Sequence, residues 1–221
     1  MNKAWSAQQK RIQMQLRKPE TYAAGMETLF TLRRELRDTL FALRHQLNLP
    51  DFAAMPYPDA HGSRGLTIAF SLWHMFRIED IVAHTLICGD AEIFLRQDWQ
   101  QRTGSPIITT GNELSPQVIA AFSAQLDVDA LYAYCAAVQE STEQMLCALP
   151  FTALKEKIPD ARRETLRALG VVSEDAEAVW LIDYWCGKDI RGLIQMPFSR
   201  HWILHAEGCL RMRDKILQAH R

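Results

Sequence analysis

Two histidines near the end of the chain, His201 and His205, have the residue type and spacing that a metal site requires. Side chains four positions apart on an α-helix lie on one face, one turn apart, so both imidazoles can reach a single ion. Phe198, Met212 and Ile216 share their stripe at spacings of three and four, which indicates that it faces the core. A buried imidazole needs a hydrogen-bond partner or a metal, and the pair alone leaves both possibilities open.

A third histidine, His74, falls among the core positions of another predicted helix, on a stripe with Phe70 and Ile81. Taken alone, it also fits a core histidine that is hydrogen-bonded to a buried carbonyl. Together with His201 and His205 it would form a mononuclear site. Three neutral imidazoles suit Zn²⁺, Ni²⁺ or Fe²⁺ and leave coordination positions open for water or substrate. No glutamate is followed three residues later by a histidine, so the ferritin-like di-iron pattern is excluded.

Helical periodicity predicts the elements that would position these histidines. Apolar residues at alternating spacings of three and four predict four long core helices at about 21–47, 67–100, 129–149 and 197–218. Shorter helices are predicted at 5–17, 116–126, 160–169 and 174–186, and the last two belong to an inserted segment, 151–196. No run alternates with the period of a strand over more than about five residues. The sequence therefore predicts one all-α domain, 1–221: a four-helix bundle with additional short helices inserted before the last long helix.

Glycine and proline residues mark the interruptions between these helices. The segment 48–64 is predicted to be a loop that carries an exposed His61, and 101–114 is predicted to be a second loop. Gly89 is expected to bend the second long helix or to end its first part. His84 lies one residue off the inward-facing phase and is expected to be peripheral.

Composition narrows the class of protein. The chain has 221 residues, a net charge of -1 and basic residues scattered among acidic ones, which argues against binding of nucleic acid. The basic N-terminus has no apolar segment behind it and does not resemble a secretory signal, and no apolar run approaches the length of a membrane span. Five cysteines without a Cys-x-x-Cys motif indicate free thiols in a reducing cytoplasm. Cys209 is expected to fill the core, with a soft ligand or a reactive thiol as alternatives.

Three motifs carry a resemblance to a known family: Leu72-Trp73-His74 with Glu79-Asp80, the run 126–134, and His201-x-x-x-His205 with Glu207. Over roughly 21–218 the chain resembles the DinB / YfiT-like superfamily of metal-binding four-helix bundles. The resemblance implies a divalent metal, commonly zinc or nickel, held by His74, His201 and His205. It also implies a cytoplasmic protein, often a homodimer, and some relatives look like thiol-dependent transferases or isomerases that use a low-molecular-weight thiol.

The chain departs from that family in two places. Gly208-Cys-Leu-Arg-Met stands where the last helix commonly continues with a further histidine and a His-Arg-Gly-Gln-like run, and the segment 151–196 is longer than usual. These departures leave the substrate and any shared thiol cofactor open.

Two functions from different classes follow. In the first, a metal-dependent thiol transferase or isomerase acts on a small molecule, and the metal lowers the pKa of a bound thiol. Arg77 would then bind an anionic substrate group or sit in a structural ion pair. The aromatic candidates would line a pocket or simply pack on the bundle; they are Trp73, Trp180, Tyr184 and Trp202. In the second, a non-catalytic bundle uses the metal to lock helices or a dimer interface. A third reading has no metal, with each histidine hydrogen-bonded. An enzyme needs an open coordination position, whereas a structural site is closed.

Overall fold

The chain folds mostly into helices in the part that a computed structural model describes, residues 2–58 and 65–221. The α-helices are α1 (Lys3–Gln15), α2 (Pro19–Gln46), α3 (Ile68–Asp80), α4 (Ile93–Arg96), α5 (Trp99–Thr103), α6 (Pro116–Gln125), α7 (Val128–Ala148), α8 (Asp160–Leu169), α9 (Ala176–Cys186), α10 (Ile190–Gln195) and α11 (His201–Ala219). Short 3-10 turns lie at Leu49–Ala53 and Phe151–Lys155. Within the described ranges there is no strand, so the predicted all-α class is confirmed.

Local capping explains where several helices begin. The Thr67 hydroxyl accepts the Phe70 amide at 3.0 Å at the start of α3. The Asp127 carboxylate accepts the Ala130 amide at 2.9 Å at the start of α7. These side chains satisfy amides that have no partner inside the helix. Capping as well as periodicity therefore determines the two helix N-termini that the sequence predicted near residues 67 and 129.

Helix α3 lies at the centre of the packing, because every residue from Ile68 to Asp80 is buried. It packs against α7 and α11, and α11 also packs against α2. Helix α2 meets α7 where the Tyr132 hydroxyl donates to the Leu40 carbonyl at 3.0 Å. The four long helices thus share one core, and the four-helix-bundle topology stays a prediction.

The second long helix ends earlier than the predicted residue 100. Beyond α3 it continues only through a π-helical stretch, Ile81–Cys88, and Gly89 ends it with a φ of 74°. A residue with a Cβ is strained at this positive φ, which favours glycine there. The chain then folds back, since the Asp80 carboxylate accepts the amides at the start of α4, Ile93 and Phe94, at 2.8 Å each.

A second π-helical stretch, Met196–Arg200, joins α10 directly to α11. Pro197 has no amide hydrogen and cannot continue the α-helical bonding pattern. The Ser199 hydroxyl donates to the Ile194 carbonyl at 2.9 Å within this wide turn. His201 is the first residue after it, so this turn sets the direction in which the last helix presents its histidines.

The inserted segment contains α8 and α9 near their predicted positions, and also α10, which was not predicted. None of the helices in the described ranges is long and apolar enough to cross a membrane. His61, which was expected to be exposed, lies outside the described residues.

Candidate metal centre

Three histidines from two packed helices converge at one point. His74 on α3 faces His201 and His205 on α11, and the potential ligand atoms of the three lie within 4.8 Å of one another. The Nε2 atoms of His201 and His205 are 3.0 Å apart. The His74 ring centre lies 5.2 Å from that of His201 and 5.0 Å from that of His205. The structure thus brings together the three histidines that the sequence singled out, while the binding of a metal stays a prediction.

The His74 imidazole is fixed by a loop. Its Nδ1 lies 2.6 Å from the Thr110 carbonyl oxygen. Because a carbonyl only accepts, Nδ1 carries the hydrogen, and the lone pair is left on Nε2. The Phe70 ring stacks on the imidazole with centres 5.4 Å apart. A second bond that sets the tautomer and ring orientation is typical of histidines that ligate metals.

The environment keeps all three imidazoles neutral. Burial lowers the pKa of His74 to about 4, although the hydrogen bond to Thr110 opposes the shift. Burial, followed by the proximity of His74, lowers the pKa of His205 to about 3. Burial and the two neighbouring rings hold the pKa of His201 well below its usual range. Neutral imidazole is the form that binds a metal.

The donor set fits a divalent ion. Zinc–nitrogen bonds of 2.0–2.1 Å at tetrahedral angles place two ligand nitrogens about 3.3 Å apart, close to the 3.0 Å between Nε2 of His201 and Nε2 of His205. His201 Nδ1 is buried and has no hydrogen-bond partner, so His201 lacks the positioning bond that His74 has. Three nitrogen ligands suit Zn²⁺ or Ni²⁺.

Two clefts reach this cluster, and His205 borders both. The larger, about 470 Å³, is lined by Leu66, Phe70, His74, Gly111, Asn112, Glu113, Leu114, Ser115, Pro116, Ile119, Glu177 and His205. The smaller, about 270 Å³, is lined by Tyr57, Leu66, Ser71, Leu204, His205, Gly208, Arg211 and Met212. A small molecule can therefore approach the histidines from outside the core, as an open site requires.

The structure also places a carboxylate in the larger cleft that sequence reasoning missed. Glu113 Oε2 is buried without a hydrogen-bond partner, while its Oε1 accepts from the Thr109 hydroxyl. Glu113 lies in a loop where no periodicity gives its direction. Contacts with distant residues bring that loop to the site, among them the bond between Thr110 and His74.

Arg77 does not reach either cleft. Its buried guanidinium donates to Glu92 at 2.6 Å and twice to the Ile108 carbonyl, at 3.0 and 2.8 Å. Of the two alternatives that the sequence left open, the structural ion pair is the one that forms, and substrate binding by Arg77 stays a prediction. The reason is that a charge buried inside the fold requires a charged partner, which α4 supplies through the preceding Glu92.

The aromatic candidates also lie outside the residues that line the clefts. Trp73 and Trp202 are completely buried, and the Trp202 indole donates to Glu79 at 2.7 Å. Trp180 is 49% exposed on α9, where its ring packs against Tyr184 at 5.7 Å. For these four residues the structure supports packing rather than a pocket wall.

His84 is buried and not peripheral, which corrects the expectation from its phase. With Cys88 and Asp90 it forms another group that could hold a metal. However, its Nδ1 lies 2.7 Å from Asp90 and its Nε2 lies 3.0 Å from the Ser141 hydroxyl. Both ring nitrogens therefore have protein partners. Cys209 is fully buried, and burial raises the pKa of its thiol to about 12, as expected for a residue that fills the core.

Comparisons with known proteins support the fold. No family model and no curated protein matches the sequence. The crystal structure of a conserved protein from Enterococcus faecalis is similar, with a TM-score of 0.59 and 16% identity, over 87% of this chain and 95% of that one. At such identity the likeness concerns the fold alone. Fold and site together describe an all-α protein with a three-histidine cluster, two of its histidines buried and one half-buried, that two clefts reach.

Proposed function

We propose that this chain is a metal-dependent enzyme of the DinB-like type, a thiol-dependent S-transferase or isomerase that acts on a small molecule. The observation that carries the proposal is the convergence of three neutral imidazoles, two buried and one half-buried, at a point that clefts of about 470 and 270 Å³ reach. A wholly structural site would be closed by a fourth protein ligand. No fourth histidine, cysteine or carboxylate among the described residues joins this group.

The residues of the chain would divide the work as follows. His74, His201 and His205 would hold a divalent ion, zinc or nickel, with Thr110 fixing the His74 ring. A divalent ion bound there supplies Lewis acidity, which lowers the pKa of a thiol. The apolar walls of the larger cleft, Leu66 and Phe70 among them, would exclude water from the reacting groups.

Metal analysis by plasma mass spectrometry tests the proposal, using protein purified without a histidine tag. About one equivalent of zinc or nickel per chain is expected in the wild type, and its loss in His74→Ala and in His201→Ala. His84→Ala is the matched control, since it also removes a buried histidine from the same continuous helix but leaves the cluster intact. Wild-type protein that takes up no metal even after reconstitution would refute the mechanism.

A second candidate is a non-catalytic bundle in which the metal only locks α3 to α11. The position of the cluster between these two core helices favours it, because metal binding would add to the folding free energy. The cobalt-substituted protein separates the two functions. In an enzyme with an open position, added thiol changes the cobalt absorption spectrum, whereas a closed structural site leaves it unchanged.

A further inference from the structure

The smaller cleft beside His205 carries charge of one sign only. Arg211 is the single charged side chain among the described residues that line it, and the other walls are apolar or neutral. The larger cleft, which His205 also borders, is lined by the Glu113 carboxylate and by no arginine or lysine among the described residues. The two approaches to the cluster therefore differ in charge, and an anionic ligand is favoured on the Arg211 side.

The direction of the Arg211 side chain follows from its contact with Gly208. A Cβ added to Gly208 would meet one atom within 4 Å, the Nη2 of Arg211, at 4.0 Å. Arg211 thus reaches back along α11 toward the N-terminus, the usual direction for helical side chains. His205 lies three residues before Gly208, so the guanidinium ends about one helical turn from the imidazole. Because Gly208 has no side chain, the space between the guanidinium and the imidazole stays open.

The Arg211 guanidinium is available for a ligand. It is exposed and makes no hydrogen bond or ion pair with any of the described residues, whereas its backbone carbonyl accepts from the Tyr57 hydroxyl at 3.3 Å. By contrast, Arg213 on the same helix is held by Asp214 at 2.6 Å. A guanidinium binds a carboxylate or phosphate through two parallel hydrogen bonds, which gives it selectivity for planar anionic groups.

We infer that Arg211 and Gly208 form a subsite for an anion in the smaller cleft. The substrate is then a small molecule with a carboxylate-like group. This group lies about one helical turn from the substrate atom that faces the histidines. The inference rests on the proposed function, because it assumes that the histidines bind the reacting end of that molecule. It adds the chemistry of the other end. The apolar walls contributed by Leu204 and Met212 suit the short hydrocarbon segment between the two ends.

The test compares two thiols of similar size, 3-mercaptopropionate and 2-mercaptoethanol. Binding is followed by the cobalt absorption of the cobalt-loaded protein and by the ¹⁵N shift of the Gly208 amide, the latter also in metal-free protein. The anionic thiol is expected to bind about five- to tenfold more tightly, as one exposed charge-assisted contact allows. Arg211→Met should abolish this preference, and Arg213→Met, which removes the same charge from the same helix, should retain it.

Gly208→Leu provides a second variant. A Cβ at Gly208 meets nothing closer than 4.0 Å, and leucine favours a helix more than glycine does, so the protein should fold. The new side chain should nevertheless weaken the binding of both thiols, because it occupies the space between Arg211 and His205. Equal affinity of the two thiols in the wild type, or a preference that survives Arg211→Met, would overturn the inference and leave the metal site standing. If the protein takes up no zinc, nickel or cobalt, the proposed function fails, and the Gly208 shifts in metal-free protein decide the anion subsite alone.

Discussion

The Nδ1 atom of His74 lies 2.6 Å from the carbonyl oxygen of Thr110, so a loop far along the chain fixes an imidazole that α3 supplies. The next residue, Gly111, holds the loop in place with a φ of 75°, and a Cβ there would lie 2.8 Å from the Phe70 ring. Neither the backbone conformation nor the space admits a larger residue. The geometry of the loop therefore controls the orientation of His74.

Gly111→Ala should weaken metal binding by about tenfold to a hundredfold, because displacement of the loop removes the bond that orients His74. Affinity can be measured by competition with a chromophoric chelator. Gly170→Ala is the matched control: its φ is 64° but no atom lies within 4 Å of an added Cβ. It should cost about 1 kcal/mol of stability and leave the metal affinity unchanged. Equal effects of the two variants on affinity would show that the Thr110 bond does not matter.

The metal-free protein should lose stability as the pH falls from about 6.5 to about 4. The pKa of His74 is lowered to about 4 and that of His205 to about 3 by burial, so in this window the unfolded chain binds protons that the folded chain does not. The free energy of unfolding therefore decreases as the pH is lowered through this window, and His74 alone accounts for a loss of about 3 kcal/mol. Urea denaturation at several pH values measures the free energy of unfolding, which should depend less steeply on pH in the double variant His74→Gln/His205→Gln. A slope equal to that of the wild type would contradict the assignment.

Arg33→Met should destabilise the fold by about 3–5 kcal/mol. Arg33 is fully buried and donates to Glu79 at 2.9 and 2.7 Å, so its removal leaves a buried carboxylate without its cation. Chemical denaturation of Arg33→Met beside Arg33→Met/Glu79→Leu measures this effect, and the double variant should recover much of the loss. Arg37→Met removes an exposed ion pair with Asp38 and should change the stability by no more than about 0.5 kcal/mol.

An aromatic disulfide reagent should label Cys88 and Cys147 in the native protein and spare Cys209. The first two thiols are exposed, whereas burial places the pKa of Cys209 at about 12. Peptide mapping after timed labelling reads this out. Rapid modification of Cys209 under native conditions would revive the alternative that it is a reactive thiol.

Much of the fold could be predicted from the sequence because its determinants are local. The apolar seam of α2 and the capping residues Thr67 and Asp127 lie next to the elements that they define. The histidine cluster could be anticipated for a related reason: spacing fixes His201 relative to His205, and packing of core stripes brings His74 to them.

The remainder depends on contacts between residues distant in the chain. The sequence shows Arg77 one turn from His74 but not that α4 returns Glu92 to neutralise it. The loop that places Thr110 and Glu113 at the site has no periodicity from which its path could be inferred. Gly89 was recognised as an interruption, but whether it bends or ends the helix depends on its backbone conformation, a φ of 74°, which the sequence does not show.

The number of residues in the wide turn at Met196–Arg200 determines which face of α11 carries His201 and His205. A regular α-helix advances about 100° per residue. Deleting one residue from this turn to restore regular pitch would therefore rotate both imidazoles about 100° around the axis of α11, off the face that meets α3. A chain one residue shorter here could keep its helices, its core composition and its His-x-x-x-His spacing, and still lose the cluster.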